Sequence, residues 1–150
     1  MSDNTKYMGL DYGEKRVGIS VSDENKKYSF NREFVLNDKN LFTNILDIIR
    51  SEKISRIIIG LPVSLKNEKT VQTLMSEKFS EKLNDHLISN NIAAEIIFYD
   101  ERLTSRIAEE SLMLTGIKKR KRKVKGLIDG ISAQIILQDY LDSAKNTGSS

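Results

Sequence analysis

The run RIIIGLPV at residues 56–63 most restricts what this chain can become. It is short, almost continuously apolar, and broken near its end by Pro62, the only proline in the sequence. A strand with one wet face alternates apolar and polar residues; an unbroken run belongs to a strand covered on both sides, and proline stops its hydrogen-bond ladder. The remainder of the chain must therefore supply helices for both faces of a sheet.

The flanking periodicities supply that architecture. Upstream, 6–12 (KYMGLDY), 16–22 (RVGISVS) and 28–36 (YSFNREFVL) read as strands separated by the turn-like GEK and DENKK. They predict an antiparallel meander with its first strand near the centre of the sheet and its second at an edge. LFTNILDIIRSE at 41–52 has helical spacing through Leu41, Ile45, Ile48 and Ile49. Beyond the polar loop SLKNEK, a second helix over 70–90 aligns Val71, Met75, Phe79, Leu83 and Leu87 at four-residue intervals. AAEIIFYD at 93–100 predicts another buried strand, TSRIAEESLML at 104–114 a third helix, and LIDGISAQIILQDYLDS at 127–143 a fourth. The order βββαβαβαα predicts an α/β fold: a mixed five-stranded sheet, its first three strands antiparallel, with helices on both faces. Residues 1–143 read as a single domain and AKNTGSS at 144–150 as a frayed tail.

Composition narrows the setting. With 150 residues, 39% of them hydrophobic, the chain can bury one core. The absence of cysteine excludes disulfides and thiolate metal sites. The polar start MSDNTKYMG lacks the apolar core of a signal peptide, and no stretch reaches the roughly 20 apolar residues of a membrane span. A cytoplasmic protein without a membrane partner is expected. Charge is local: Lys118, Lys119, Arg120, Lys121, Arg122, Lys123 and Lys125 hold seven of the 24 basic residues, leaving 17 basic against 21 acidic elsewhere. Such a run suits a phosphate backbone, and equally a solvated loop.

Against this background Asp11, inside the apolar first strand, is costly. A carboxylate in a central strand must find a basic partner, helix N–H groups or a cation, or else take up a proton. Asp100 and Glu101 end the strand IIFYDER, where α/β sheets place their ligands. Asp129, near the start of the last helix, shares a face with Ala133, Ile136 and Tyr140, and the small Ala133 would allow close approach to the sheet. Each acid has a plainer use: Asp129 as a helix cap, Asp100 and Glu101 as partners of Arg102 or Arg106. Brought together, clustered carboxylates hold hard divalent cations such as Mg²⁺ or Mn²⁺, and a pair of such ions hydrolyses phosphodiesters. In the turn after Asp11, Gly13 and Gly18 flank Glu14, Lys15 and Arg16, a backbone that can approach a phosphate. Arg102 and Thr104 could position a phosphate or cap a helix. His86, the only histidine, falls on the polar side of its helix and makes a poor general base.

Four segments, GLDYGEKRVGISVSD (9–23), IIIGLPVSL (57–65), YDERLTS (99–105) and DGISAQIILQDYLD (129–142), resemble the signature segments of the YqgF/RuvX family, described as Holliday junction resolvases and as pre-16S rRNA nucleases. The resemblance covers nearly the whole chain in order. It implies the RNase H-like fold and a metal-dependent nuclease acting on structured RNA or branched DNA, with a role in maturing the 5′ end of small-subunit ribosomal RNA. Carried over, the family's acids fall on Asp11, on Glu101 or its neighbour Asp100, and on Asp129. Strand alternation separates Asp100 from Glu101, so one of them serves as a ligand, with Glu101 favoured. The family's loop after GLP carries a DG pair where this chain has KNEK, with Asn67 at the turn. At the end of the fourth strand, where related nucleases place an acid, stand Gly60 and Leu61. Two rivals remain: the GLDYG turn also resembles the phosphate loop of actin-like ATPases, which clamp ATP between two such domains, and a non-catalytic RNA-binding assembly factor could keep the fold. Monomer and homodimer are both compatible with the sequence.

Overall fold

The computed structural model describes residues 4–61, 70–100 and 125–146, apart from the side chains of 100, 125–131 and 144–146. The apolar run becomes β4 (Ile54–Leu61), in which Ile57, Ile58 and Ile59 are wholly buried. Alternation sends Ile57 and Ile59 into one core and Ile58 into another on the opposite face. Truncating any one of them to alanine would cost about 2–5 kcal/mol.

Around it lie β1 (Lys6–Asp11), β2 (Arg16–Ser22), β3 (Ser29–Leu36), α1 (Leu41–Ser51), α2 (Val71–Ser89), β5 (Glu95–Asp100) and α3 (Lys125–Asn146). The sheet order is β3-β2-β1-β4-β5; β1 pairs antiparallel with β2, and β2 with β3, whereas β1–β4 and β4–β5 are parallel. The larger core joins Met8, Leu10 and Ile19 of the sheet to Ile45 and Ile49 of α1 and to Phe79 and Leu83 of α2. On the other face Ile136, Leu137 and Leu141 of α3 cover Ile58. The expected architecture, five strands with helices on both faces, is thus the observed one.

Several expectations are corrected. The edge strand is β3, not β2: because the meander continues, β2 is paired on both sides and buried at every residue after Arg16. β5, expected to be buried, lies at the other edge of the sheet with Phe98 43% exposed. On α2, Val71 is exposed rather than aligned with the core. Steps of four residues turn a helix by about 400°, so the stripe drifts about 40° per step; the buried face instead runs through Thr73, Ser76, Phe79, Ser80, Leu83 and Leu87. Thr70 caps this helix reciprocally with Thr73, whose backbone N–H donates to Thr70 Oγ1 at 3.2 Å. The last helix continues to Asn146, three residues into the expected tail. The predicted helix at 104–114 and the loop containing Asn67 lie outside the described residues. Among the described residues no helix is long and apolar enough to cross a membrane.

Candidate active site

β1 delivers Asp11 to the end of the sheet where the parallel strands β1, β4 and β5 all terminate. Asp11 is the last residue of the strand rather than an interior one, opposite Gly18 of β2, and is half-buried. That placement reduces the desolvation its position in the sequence implies. One step beyond the Leu10–Ile59 pair sets Asp11 level with Gly60, which in turn pairs with Tyr99. No acid occupies the end of β4: Gly60 is buried, and Leu61 pairs with Asp100.

The face that Asp11 shares follows from the residues before it. Tyr7 packs with the α3 core, its ring 6.2 Å from that of Tyr140. Gly9 lies directly under the helix: a Cβ there would be 2.8 Å from the Ala133 carbonyl oxygen and 2.9 Å from Leu137 Cβ. Glycine is thus required at position 9 by contact, and alternation puts Asp11 on the same α3-facing side. The contacts also give the helix direction. Two strand residues advance about 6.6 Å, or four to five helical residues. Moving from Tyr7 to Gly9 shifts the contact from Tyr140 back to Leu137 and Ala133, so α3 runs antiparallel to β1. The next equal step brings the turn 129–133 of the helix level with Asp11. Ser20 Oγ of β2 donates to the Ala133 carbonyl at 2.7 Å and fixes the helix at this height.

The turn 12–15 is held by a residue that the sequence did not single out, Asn37. Its backbone N–H donates to the Lys15 carbonyl at 2.9 Å, and its Nδ2 donates to the Gly13 carbonyl at 2.8 Å and to Tyr12 Oη at 3.1 Å. Only its position just past β3 hints at the role; the bonds span more than twenty residues and leave no local pattern. At Gly13 a Cβ would meet the Arg16 carbonyl oxygen at 2.5 Å, so the turn closes only around glycine. Lys15 is exposed, and the Arg16 guanidinium lies 5.2 Å from the centre of the Phe34 ring.

The other expected site residues are placed less fully. Asp100 is the final residue of β5, and Asp129 and Lys125 belong to the backbone of α3; their side chains are outside the described residues, as are Glu101, Arg102, Thr104 and the run Lys118–Lys123. In β5, Ile97 and Tyr99 are the residues packed against the α3 core, and Tyr99 Oη donates to the Asp139 carboxylate. Among the described residues no three potential ligands cluster as a metal site. His86 is exposed and its ring stacks on Phe42 at 4.5 Å, a surface role as expected.

Comparison with known proteins gives this geometry a family. A protein from Sulfurihydrogenibium, named "Putative pre-16S rRNA nuclease", is 44% identical over 138 residues, covering 92% of this chain and 90% of its own. One of the same name from Flavobacterium psychrophilum is 33% identical, covering 91% and 96%. Among solved structures, Thermus thermophilus RuvC in complex with a Holliday junction substrate superposes with a TM-score of 0.59 at 14% identity, over 95% of this chain and 97% of that one. That likeness establishes the RNase H-like fold. The family model described as "RuvX: Holliday junction resolvase" matches residues 5–143, and the chain belongs to that family.

Proposed function

We propose that this chain is a divalent-metal-dependent nuclease that hydrolyses phosphodiester bonds of structured RNA, processing the 5′ end of pre-16S rRNA in the cytoplasm. The observation that carries the reading is Asp11, a carboxylate at the ligand-binding end of the sheet, on the α3 side and level with the turn that contains residue 129. The names of the relatives, pre-16S rRNA nuclease and Holliday junction resolvase, supply the reaction class.

The donor chemistry suits the ion. Asp11, Asp129 and Glu101 offer hard carboxylate oxygens, the ligands that Mg²⁺ and Mn²⁺ prefer. Of Asp100 and Glu101, Glu101 is the one proposed as the ligand. When bound, divalent ions activate water and stabilise the leaving oxygen. The protein's own part is to position the strand: Lys15, Arg16 and the N–H groups of the Gly13 turn contact phosphate, Arg102 assists, and Lys118–Lys123 with Lys125 hold the flanking backbone.

Asp11→Asn separates the possibilities. Wild type with Mg²⁺ or Mn²⁺ is expected to cut a structured pre-16S rRNA fragment, and Asp11→Asn to bind the same RNA without cutting it. Cleavage that survives both the substitution and excess chelator would overturn the reading. The lack of an acid at Gly60 and Leu61 favours one alternative, a non-catalytic RNA-binding factor; it predicts equal binding and no cutting by either protein. A four-way DNA junction in the same panel tests the resolvase alternative.

A further inference from the structure

Asp11 and Tyr12 are consecutive, so they leave the sheet on opposite sides, and Tyr12 opens onto a cleft on the α2 face. The cleft measures about 190 Å³ and is lined by Tyr12, Asn37, Phe42, Phe79, Lys78 and Lys82 among others. Its rings form a connected series: Tyr12 lies 4.7 Å from Phe79, and Phe79 5.7 Å from Phe42 with planes 22° apart. Phe79 is buried, whereas Tyr12 and Phe42 are half-buried, and the Phe42 ring also stacks on His86 at 4.5 Å.

Two cations stand at the rim of the cleft. Lys78 and Lys82 stand one turn apart on α2, both exposed, and among the described residues neither makes an ion pair. Like charges at this spacing repel. The acids of the same helix, Glu77, Glu81 and Asp85, do not line the cleft. An aromatic wall with two exposed ammonium groups at its mouth matches a flat ring carrying an anionic group. The volume is below the roughly 300–1,000 Å³ of pockets that enclose whole ligands, so it admits one ring system with its phosphate outside.

We propose that this cleft binds an unpaired nucleobase of the substrate, stacked beside Tyr12 and Phe42, with the adjoining phosphate on Lys78 and Lys82. The inference rests on the proposed nuclease reading and adds a substrate feature to it: an extruded nucleotide next to the scissile site. Asn37 serves both sides, since it lines the cleft and bonds the Gly13 turn that leads back to Asp11. Stacking tolerates any base, so the cleft selects for an unpaired nucleotide rather than a sequence.

The probe is an RNA hairpin with a single bulged 2-aminopurine, compared with the same stem fully paired, both bound to Asp11→Asn protein. The bulged hairpin is expected to bind about tenfold more tightly, the effect of one base stacked on aromatic side chains, with quenching of the 2-aminopurine. Phe42→Leu should bring the ratio close to one while retaining binding of the paired stem. Lys78→Gln/Lys82→Gln, at exposed positions, should lower the ratio without affecting folding and so decides the matter if Phe42→Leu is unstable. Equal affinity for the two hairpins, or a ratio that neither change affects, overturns the proposal. The preference is read from binding alone, so its failure is distinct from failure of the nuclease reading, which shows as cleavage by Asp11→Asn.

Discussion

Gly9 and Ala133 touch so closely that no side chain fits between them. A Cβ on Gly9 would stand 2.8 Å from the Ala133 carbonyl oxygen and 2.4 Å from Ser20 Oγ, which donates to that same carbonyl at 2.7 Å. The obstructing carbonyl is helix backbone and cannot rotate away. Gly9→Ala should therefore lift α3 from the sheet and cost about 1–3 kcal/mol in urea denaturation, as overpacking does. Because the turn 129–133 shifts relative to Asp11, cleavage should fall further than the loss of folded protein explains. Activity that follows the folded fraction alone would refute this link.

Ser20→Ala tests the same contact from the other side. Loss of the buried bond should cost about 0.5–1.5 kcal/mol. Added to Gly9→Ala, it also removes the shortest of the three close contacts, so the double change should be less destabilising than the sum of the singles by at least about 0.5 kcal/mol. Strict additivity in a double-mutant cycle would mean that the three groups do not share one tight site.

Asn37→Asp keeps the size of the side chain and removes its donor. The Gly13 carbonyl then loses its donor and faces a carboxylate, whereas Tyr12 Oη must turn its hydroxyl to donate to that carboxylate. A stability loss of about 1–3 kcal/mol is expected from the unpaired carbonyl. RNA affinity should weaken beyond that, because the turn proposed to contact phosphate opens. Affinity equal to wild type at a temperature where the variant is fully folded would limit Asn37 to a structural role.

How much was legible depended on the range of the interaction. Ile57–Ile59 declared a strand covered on both faces because burial acts residue by residue, and Asp11 stood out because a carboxylate is unexpected in a strand whose sequence is otherwise apolar around Met8 and Leu10. The small residue at Ala133 predicted close approach of the last helix, but its partner Gly9 was not evident, since a glycine in a strand has many uses. The edge assignment of β2 failed because pairing beyond a hairpin is decided by the next strand, β3. Val71 was misread because a four-residue spacing drifts off the buried face over nineteen residues. Asn37 left no signal, as its partners Tyr12 and Gly13 lie on another strand's turn.

Glu52 makes stability depend on acid. Its carboxylate accepts from Lys6 Nζ at 2.9 Å and from Arg32 Nε at 3.2 Å, tying β1 and β3 to the end of α1. The bond from Lys6, with lesser help from Arg32 and against partial desolvation, holds its pKa below the ordinary 4.5. A carboxyl whose folded pKa is depressed contributes stability above its unfolded value and loses it as pH falls through the folded one. Glu52→Gln should therefore destabilise the protein at about pH 7, with the deficit shrinking below pH 4.5 and vanishing in stronger acid. A deficit that is constant with pH in denaturant titrations would show that the bond acts through packing instead.

The run Lys118–Lys123 holds six consecutive cations in a chain that is otherwise mildly acidic. Bound to a phosphate backbone, each would displace counterions, and affinity would fall with salt in proportion to the number of contacts. Each contact contributes about 0.7 to the log–log slope on single strands and about 0.9 on a duplex. Replacing all six with glutamine should flatten the slope by several units if they contact phosphate together, and by about one if a single residue does. Asp11→Asn in the same salt titration should leave the slope near that of wild type, since it removes no cation. A slope unchanged by the six replacements would assign the run to solvent and leave Lys15 and Arg16 of the Gly13 turn as the principal phosphate contacts.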